Sequence, residues 1–194
     1  MTVQIQEEPL AALAELAKVS IGFEVDRVLD VVPREGGLAG LALVERRLET
    51  PYVKDYDALE PPSEWGKRFD LSHWGVILAR SDGRCVGGAV VAFDTQDVEM
   101  LEDRRDLAVL WDLRVLPGLR GLGIGRALFQ AAEAWAAARG CRELKVETQN
   151  VNVPACRFYA RQGCVLGAIH RFAYPDLPDE AQLLWYEELG KRRP

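Results

Sequence analysis

Seven consecutive residues, Arg120-Gly121-Leu122-Gly123-Ile124-Gly125-Arg126, carry the strongest chemical signal in the chain. Glycine tolerates positive φ and lets a ligand approach the backbone closely. The first N–H groups of a helix have no partner within it, and the helix dipole favours an anion there. Arg120 and Arg126 add positive charge at the two ends. A phosphate-binding turn is the natural inference; a tight turn with no ligand is the plainer alternative. Spacing narrows the choice of phosphate ligand. A dinucleotide fingerprint, G-x-G-x-x-G, needs its third glycine at position 126, which is Arg. A G-x-x-x-x-G-K-[ST] loop needs a Lys-Ser or Lys-Thr, and neither follows here.

Such a turn works only if a strand leads in and a helix leads out. Leu107 to Val115 is apolar except at Asp112 and Arg114 and reads as a strand ended by Pro117-Gly118. Ile124 to Arg139 places Leu128, Ala131 or Ala132, Trp135 and Ala138 on one helical face, with Gly140 as its stop. Further on, Glu143 to Glu147 reads as a strand. Asn152 is an N-cap candidate with Pro154 in the first turn of a helix that ends at Gly163. Cys164 to Phe172 and Gln182 to Trp185 read as two last strands. Upstream, Trp74 to Ala79 and Cys85 to Phe93 form a hairpin around Ser81-Asp82-Gly83. Leu10 to Lys18 has helical spacing, Ile21 to Asp30 reads as a second short helix, and Leu38 to Leu48 as a first strand. The aromatic-rich stretch with Tyr52, Tyr56, Trp65 and Phe69, punctuated by Pro51 and Pro61-Pro62, reads as an ordered loop packed on the core. The expectation is a single mixed α/β domain over residues 1–194, with no internal repeat.

Composition agrees with a globular domain: 48% of the 194 residues are hydrophobic and 28% charged. No apolar run approaches the ~18 residues needed to cross a bilayer. Glu7 and Glu8 interrupt the order expected of a signal peptide, so a cytoplasmic location is expected. The four cysteines form no CxxC pair, and with only His73 and His170 available no metal site is expected. The net charge of −6 argues against nucleic acid as a partner and suits a cationic substrate.

Arg120 to Gly125 matches R/Q-x-x-G-x-G/A, the signature of the GNAT N-acetyltransferase superfamily, and Asn152, Ala155, Tyr159 and Gly163 reproduce its N-x-x-A-x-x-x-Y-x-x-x-G pattern. More narrowly, Glu147-Thr148-Gln149-Asn150-Val151-Asn152 and Ala155-Cys156-Arg157-Phe158-Tyr159 resemble the streptothricin acetyltransferases. So do Phe23-Glu24-Val25, Pro51-Tyr52-Val53-Lys54, Gly167-Ala168-Ile169, Tyr174 and Trp185-Tyr186. The resemblance implies a twisted mixed sheet of about seven strands flanked by helices, its fourth and fifth strands splayed. It implies acetyl-CoA as co-substrate, with its pyrophosphate on the loop formed by Arg120, Gly121, Leu122, Gly123, Ile124, Gly125 and Arg126. Backbone groups of Leu113, Arg114 and Val115 would pair with the pantetheine, and Asn152 and Ala155 would line the cofactor arm.

Acetyl transfer to an amine needs a neutral nucleophile, a stabilised oxyanion and a proton for the departing thiolate. Tyr159 matches the tyrosine that GNAT enzymes place near the sulfur and would be the general acid. Many relatives carry a glutamate on the fourth strand; Trp111 and Asp112 stand there instead, so Asp112 and Glu147 are both candidate bases. Trp111 and Asp112 would lie on opposite faces unless a bulge intervenes. A cationic acceptor calls for acids and aromatics, with Glu24, Asp55, Tyr56, Trp74, Trp111 and Tyr174 as candidates. The expected partner is a small-molecule amine such as streptothricin, with neither nucleic acid nor membrane involved and a monomer or homodimer as the assembly. Acetylation of protein amines or polyamines, and a non-catalytic acyl-CoA-binding module, are the competing readings.

Overall fold

The computed structural model describes residues 2–190. They form a mixed α/β structure that divides into two compact units. The first unit is built from the chain up to Gly22, from Asp55–Lys145, and again from Glu188; the second is built from Phe23–Lys54 and Val146–Glu187.

In the first unit, strands β1 (Gln4–Glu8), β4 (Gly75–Ser81), β5 (Arg84–Ala92) and β6 (Leu107–Val115) lie side by side in that order, all antiparallel. The β4–β5 hairpin turns at Asp82 and Gly83, both at positive φ (50° and 77°), as a tight two-residue turn requires. Helix α3 (Ile124–Ala138) packs on β4, β5 and β6 through a buried stripe that includes Leu128, Phe129, Ala132 and Trp135. A second cluster joins α1 (Leu13–Leu16) and α2 (Pro62–Arg68) to the sheet through Leu16, Trp65, Phe69, Trp74, Val76 and Leu78. The stretch expected to be loop therefore holds a helix, begun by Pro62 at its first position, and its Trp65 and Phe69 are buried as expected.

The second unit contains a long hairpin of β2 (Phe23–Pro33) and β3 (Leu41–Lys54). It also holds the end of β7 (Glu143–Gln149), helix α4 (Val153–Gln162), and the antiparallel pair β8 (Val165–His170) and β9 (Gln182–Glu188), with β9 next to β7. The helix expected over Ile21 to Asp30 is thus a strand. The register of β2 shifts between Val25 and Arg27, so Val25 and Val28 both point inward and are buried. A bulge has turned a period of two into an apparent i, i+3 spacing. Strand β1 was not foreseen either: Gln4-Ile5-Gln6-Glu7-Glu8 is a polar edge strand, carried by backbone pairing to β4 rather than by burial.

Helix α3 and β4 meet at Gly75. A Cβ there would stand 2.3 Å from Trp135 Cε2. Trp135 cannot easily withdraw, because its Nε1 donates to Glu7 Oε1 at 2.8 Å and the Arg139 guanidinium lies 3.5 Å over its ring. Gly75→Ala is expected to lower unfolding stability by about 1–3 kcal/mol, the usual size of an overpacking penalty. An unchanged urea midpoint would contradict this packing account.

Candidate active site

Strand β6 ends at Val115, a 3₁₀ turn follows at Pro117–Leu119, and α3 begins at Ile124. Gly121 has φ 83° and Gly123, the N-cap of α3, has φ 87°. An L-residue in that region pays about 1–2 kcal/mol, which accounts for the glycines. Nothing lies within 4 Å of an ideal Cβ at either position, so the backbone is open to a ligand. The first-turn N–H groups of Ile124, Gly125 and Arg126 have no intrahelical acceptor. Arg126 and Leu122 are exposed. Arg120 instead turns back: its Nε donates to Val115 O at 3.1 Å and its Nη2 to Ser20 O at 3.2 Å. It braces the loop as well as charging it. These residues fit a pyrophosphate: open approach, free N–H donors and positive charge together.

Strand β6 pairs with β5 at Ala89↔Leu113, Gly88↔Arg114 and Gly87↔Val115. The register shifts at Trp111, because Val90 opposes Asp112 while Val91 opposes Leu110. Trp111 is therefore the extra residue of a bulge. It packs with Trp74 (centroids 5.1 Å apart), Phe69 (5.3 Å) and Trp65 (6.4 Å). Trp74 is buried in the core and donates to Thr95 Oγ1 at 2.9 Å. Both tryptophans, expected as acceptor contacts, are thus bound up in packing.

Asp112 is likewise committed. Its two oxygens accept from Arg114 Nε at 2.9 Å and Nη2 at 2.6 Å, as two residues on one strand face can. Arg114, whose side chain is fully buried, also grips Asp57 through Nη1 (2.7 Å) and Nη2 (3.0 Å) and donates to Val19 O at 3.1 Å. Burial pushes the Asp112 carboxyl pKa up, and the Arg114 guanidinium works against that shift. A carboxylate with both oxygens on a buried guanidinium is poorly placed to accept a substrate proton, so the structure argues against Asp112 as the base. Asp57, which sequence reasoning missed, lies 57 residues from Arg114 and gave no local signal.

Of the other expected residues, Glu24, Glu147, Asn152, Ala155, Tyr159 and Tyr174 lie in the second unit, and Asp55 and Tyr56 in the first. Asn152 caps α4, its side chain accepting from Ala155 N at 3.2 Å, and Gly163 closes the helix at φ 103°. Tyr159 is buried on that helix, its ring 5.1 Å from Phe158 in an edge-on contact. Glu147 and Tyr174 meet: Tyr174 Oη donates to Glu147 Oε1 at 2.5 Å. Burial first, and then the Glu147 charge, raise the Tyr174 pKa, which keeps the phenol protonated as a donor. Glu24 is exposed on β2, and exposed Asp55 accepts from Asp57 N at 3.0 Å at the start of the 3₁₀ turn Tyr56–Ala58.

A model of the Acetyltransferase (GNAT) family matches residues 41–164. The chain belongs to this family. It is an acetyl-CoA-dependent N-acetyltransferase, with acetyl-CoA as co-substrate. This GNAT chain is similar to a streptothricin acetyltransferase of Escherichia coli, 29% identical over 177 residues that cover 90% of each protein. Streptothricin acetyltransferase A of Bacillus subtilis is 27% identical over 148 residues, covering 73% of this chain and 76% of the relative. The fold of this chain is similar to that of the nourseothricin acetyltransferase crystal structure, with a TM-score of 0.76 and 24% identity, covering 97% of this chain and 99% of the other.

Removing Asp112 separates its structural from its catalytic reading. Asp112→Ala leaves the buried Arg114 half-paired and should lower stability by about 3–5 kcal/mol. Denaturant unfolding checks this. Wild-type stability together with a collapse of kcat would restore Asp112 as the base.

Proposed function

We propose that this enzyme acetylates a primary amine of a small molecule, with the β-lysine amine of streptothricin as the acceptor. Similarity to a streptothricin acetyltransferase along nine-tenths of both chains carries this reading. The paired acid and phenol of Glu147 and Tyr174 supply the polar, anionic surroundings that a cationic acceptor needs. Residues 1–194 work as one catalytic domain in this reading.

The roles of the residues follow from their chemistry. Gly121, Gly123 and the first turn of α3 hold the pyrophosphate, with Arg126 adding charge and Arg120 fixing the loop. Backbone groups of Leu113 to Val115 pair with the pantetheine, and Asn152 and Ala155 are cofactor contacts. Acetyl-CoA supplies an activated acetyl thioester. Tyr159 Oη gives a proton to the departing thiolate, and the buried setting of that phenol keeps water from competing for the role. Glu147 serves the acceptor side. Direct attack in a ternary complex requires the amine to arrive neutral.

Purified protein mixed with acetyl-CoA and streptothricin should release free thiol at a rate well above background. No release with streptothricin, alongside turnover of a peptide N-terminus or a polyamine, would replace this acceptor while leaving the chemistry in place. Tyr159→Phe should reduce kcat by about 10²-fold or more, as loss of a general acid does. Its acetyl-CoA affinity, measured by calorimetry, should stay within about twofold, below 0.5 kcal/mol. Full turnover in that variant would remove Tyr159 from the mechanism.

A further inference from the structure

Glu147 is set differently from the ion-paired acids of its unit. Glu180 is matched by Lys54, Glu45 by Arg27 and Arg157, Asp26 by Arg27 and Asp30 by Arg46. Glu147 instead meets three neutral donors. Its Oε1 accepts from Tyr174 Oη at 2.5 Å and from Gln149 Nε2 at 3.1 Å, and its Oε2 accepts from Gln182 Nε2 at 2.7 Å. Gln149 Nε2 also donates to Tyr174 Oη at 3.0 Å, which leaves the phenol proton directed at the carboxylate. The carboxylate is half-buried, so its orientation is held while part of it stays open to solvent.

A carboxylate offers about four acceptor positions, and three of these are occupied. Its negative charge, however, is balanced by no ion pair among the described residues. With one acceptor position left and its charge unmatched, this oriented carboxylate can accept an N–H from a cation. The donors come from three places in the chain, β7 itself, the segment after β8, and β9. Orientation is therefore set by tertiary structure and not by a single turn. We infer that Tyr174 and Gln182 are positioning residues that hold Glu147 as a fixed anion for a protonated nitrogen of the acceptor. The attacking nitrogen must be neutral, so the nitrogen held at Glu147 is a second one. The acceptor class is then a molecule with two amines, which β-lysine satisfies. The inference rests on the acceptor-side role proposed above for Glu147.

A double-mutant cycle on the whole enzyme tests it, with streptothricin as acceptor and thiol release as readout. Tyr174→Phe and Glu147→Gln should each raise the KM for streptothricin by about tenfold or more, the scale of one hydrogen bond to a charged group. The KM for acetyl-CoA should stay within about twofold, below 0.5 kcal/mol. The double variant should be no worse than Glu147→Gln alone, because the phenol then has no charge left to orient. Gln182→Met should behave as Tyr174→Phe does. Multiplicative losses in the double variant, or an equal rise in the KM for acetyl-CoA, would overturn the inference and mark Tyr174 as structural only. A wild-type enzyme inert towards streptothricin defeats the proposed acceptor instead; the same cycle on the amine that is turned over then decides the inference by the same two outcomes.

Discussion

The guanidinium of Arg114 is the point on which the first unit depends. All five of its N–H donors are used: two on Asp112, two on Asp57 and one shared with the Val19 carbonyl. That one fully buried side chain joins strand β6, the Tyr56–Ala58 turn and the segment after α1. A buried charge is tolerable only when its partners are complete, so none of these three segments can shift without stranding it. Arg120 repeats the device one residue further along, donating to Ser20 O and Val115 O. Two arginines thus hold successive carbonyls of one linker, and between them the end of β6 and the glycine loop acquire a set position.

This arrangement changes the role of the acid on β6. A carboxylate at Asp112 looked available for proton transfer, yet it is the inner half of an ion pair. The bulge at Trp111 adds to this by sending the indole into the aromatic cluster of Trp65, Phe69 and Trp74. In the second unit Glu147, Tyr174, Gln149 and Gln182 form a hydrogen-bond network that, among the described residues, includes no cation, and the proposed acceptor role rests on it. The loop proposed to hold the cofactor belongs to the first unit and the proposed general acid to the second, each with its own internal supports.

Elements with local punctuation were legible in the sequence. Helix α4 begins at its Asn152 cap and ends before Gly163 because both signals act within one turn. Strand β6 and the β4–β5 hairpin were read for similar reasons: a proline break and an Asp-Gly turn. Strand β2 was misread because a bulge gave Val25 and Val28 helical spacing, and β1 was missed because its backbone pairing leaves no apolar pattern. Within the candidate site, the glycine loop and the Asn152 to Gly163 motif were visible as spaced residues. The partners Asp57 to Arg114 and Gln182 to Glu147 were not, since they depend on folding across 57 and 35 residues.

The Arg120 to Arg126 loop is proposed to bind the pyrophosphate of acetyl-CoA. Calorimetric titration of acetyl-CoA and of S-acetylpantetheine, which lacks the pyrophosphate, tests it most directly. Wild-type protein should bind acetyl-CoA much more tightly than the truncated thioester. In a folded Gly121→Val/Gly123→Val variant that difference should collapse, with S-acetylpantetheine binding little changed. A variant that keeps the full difference would contradict the assignment.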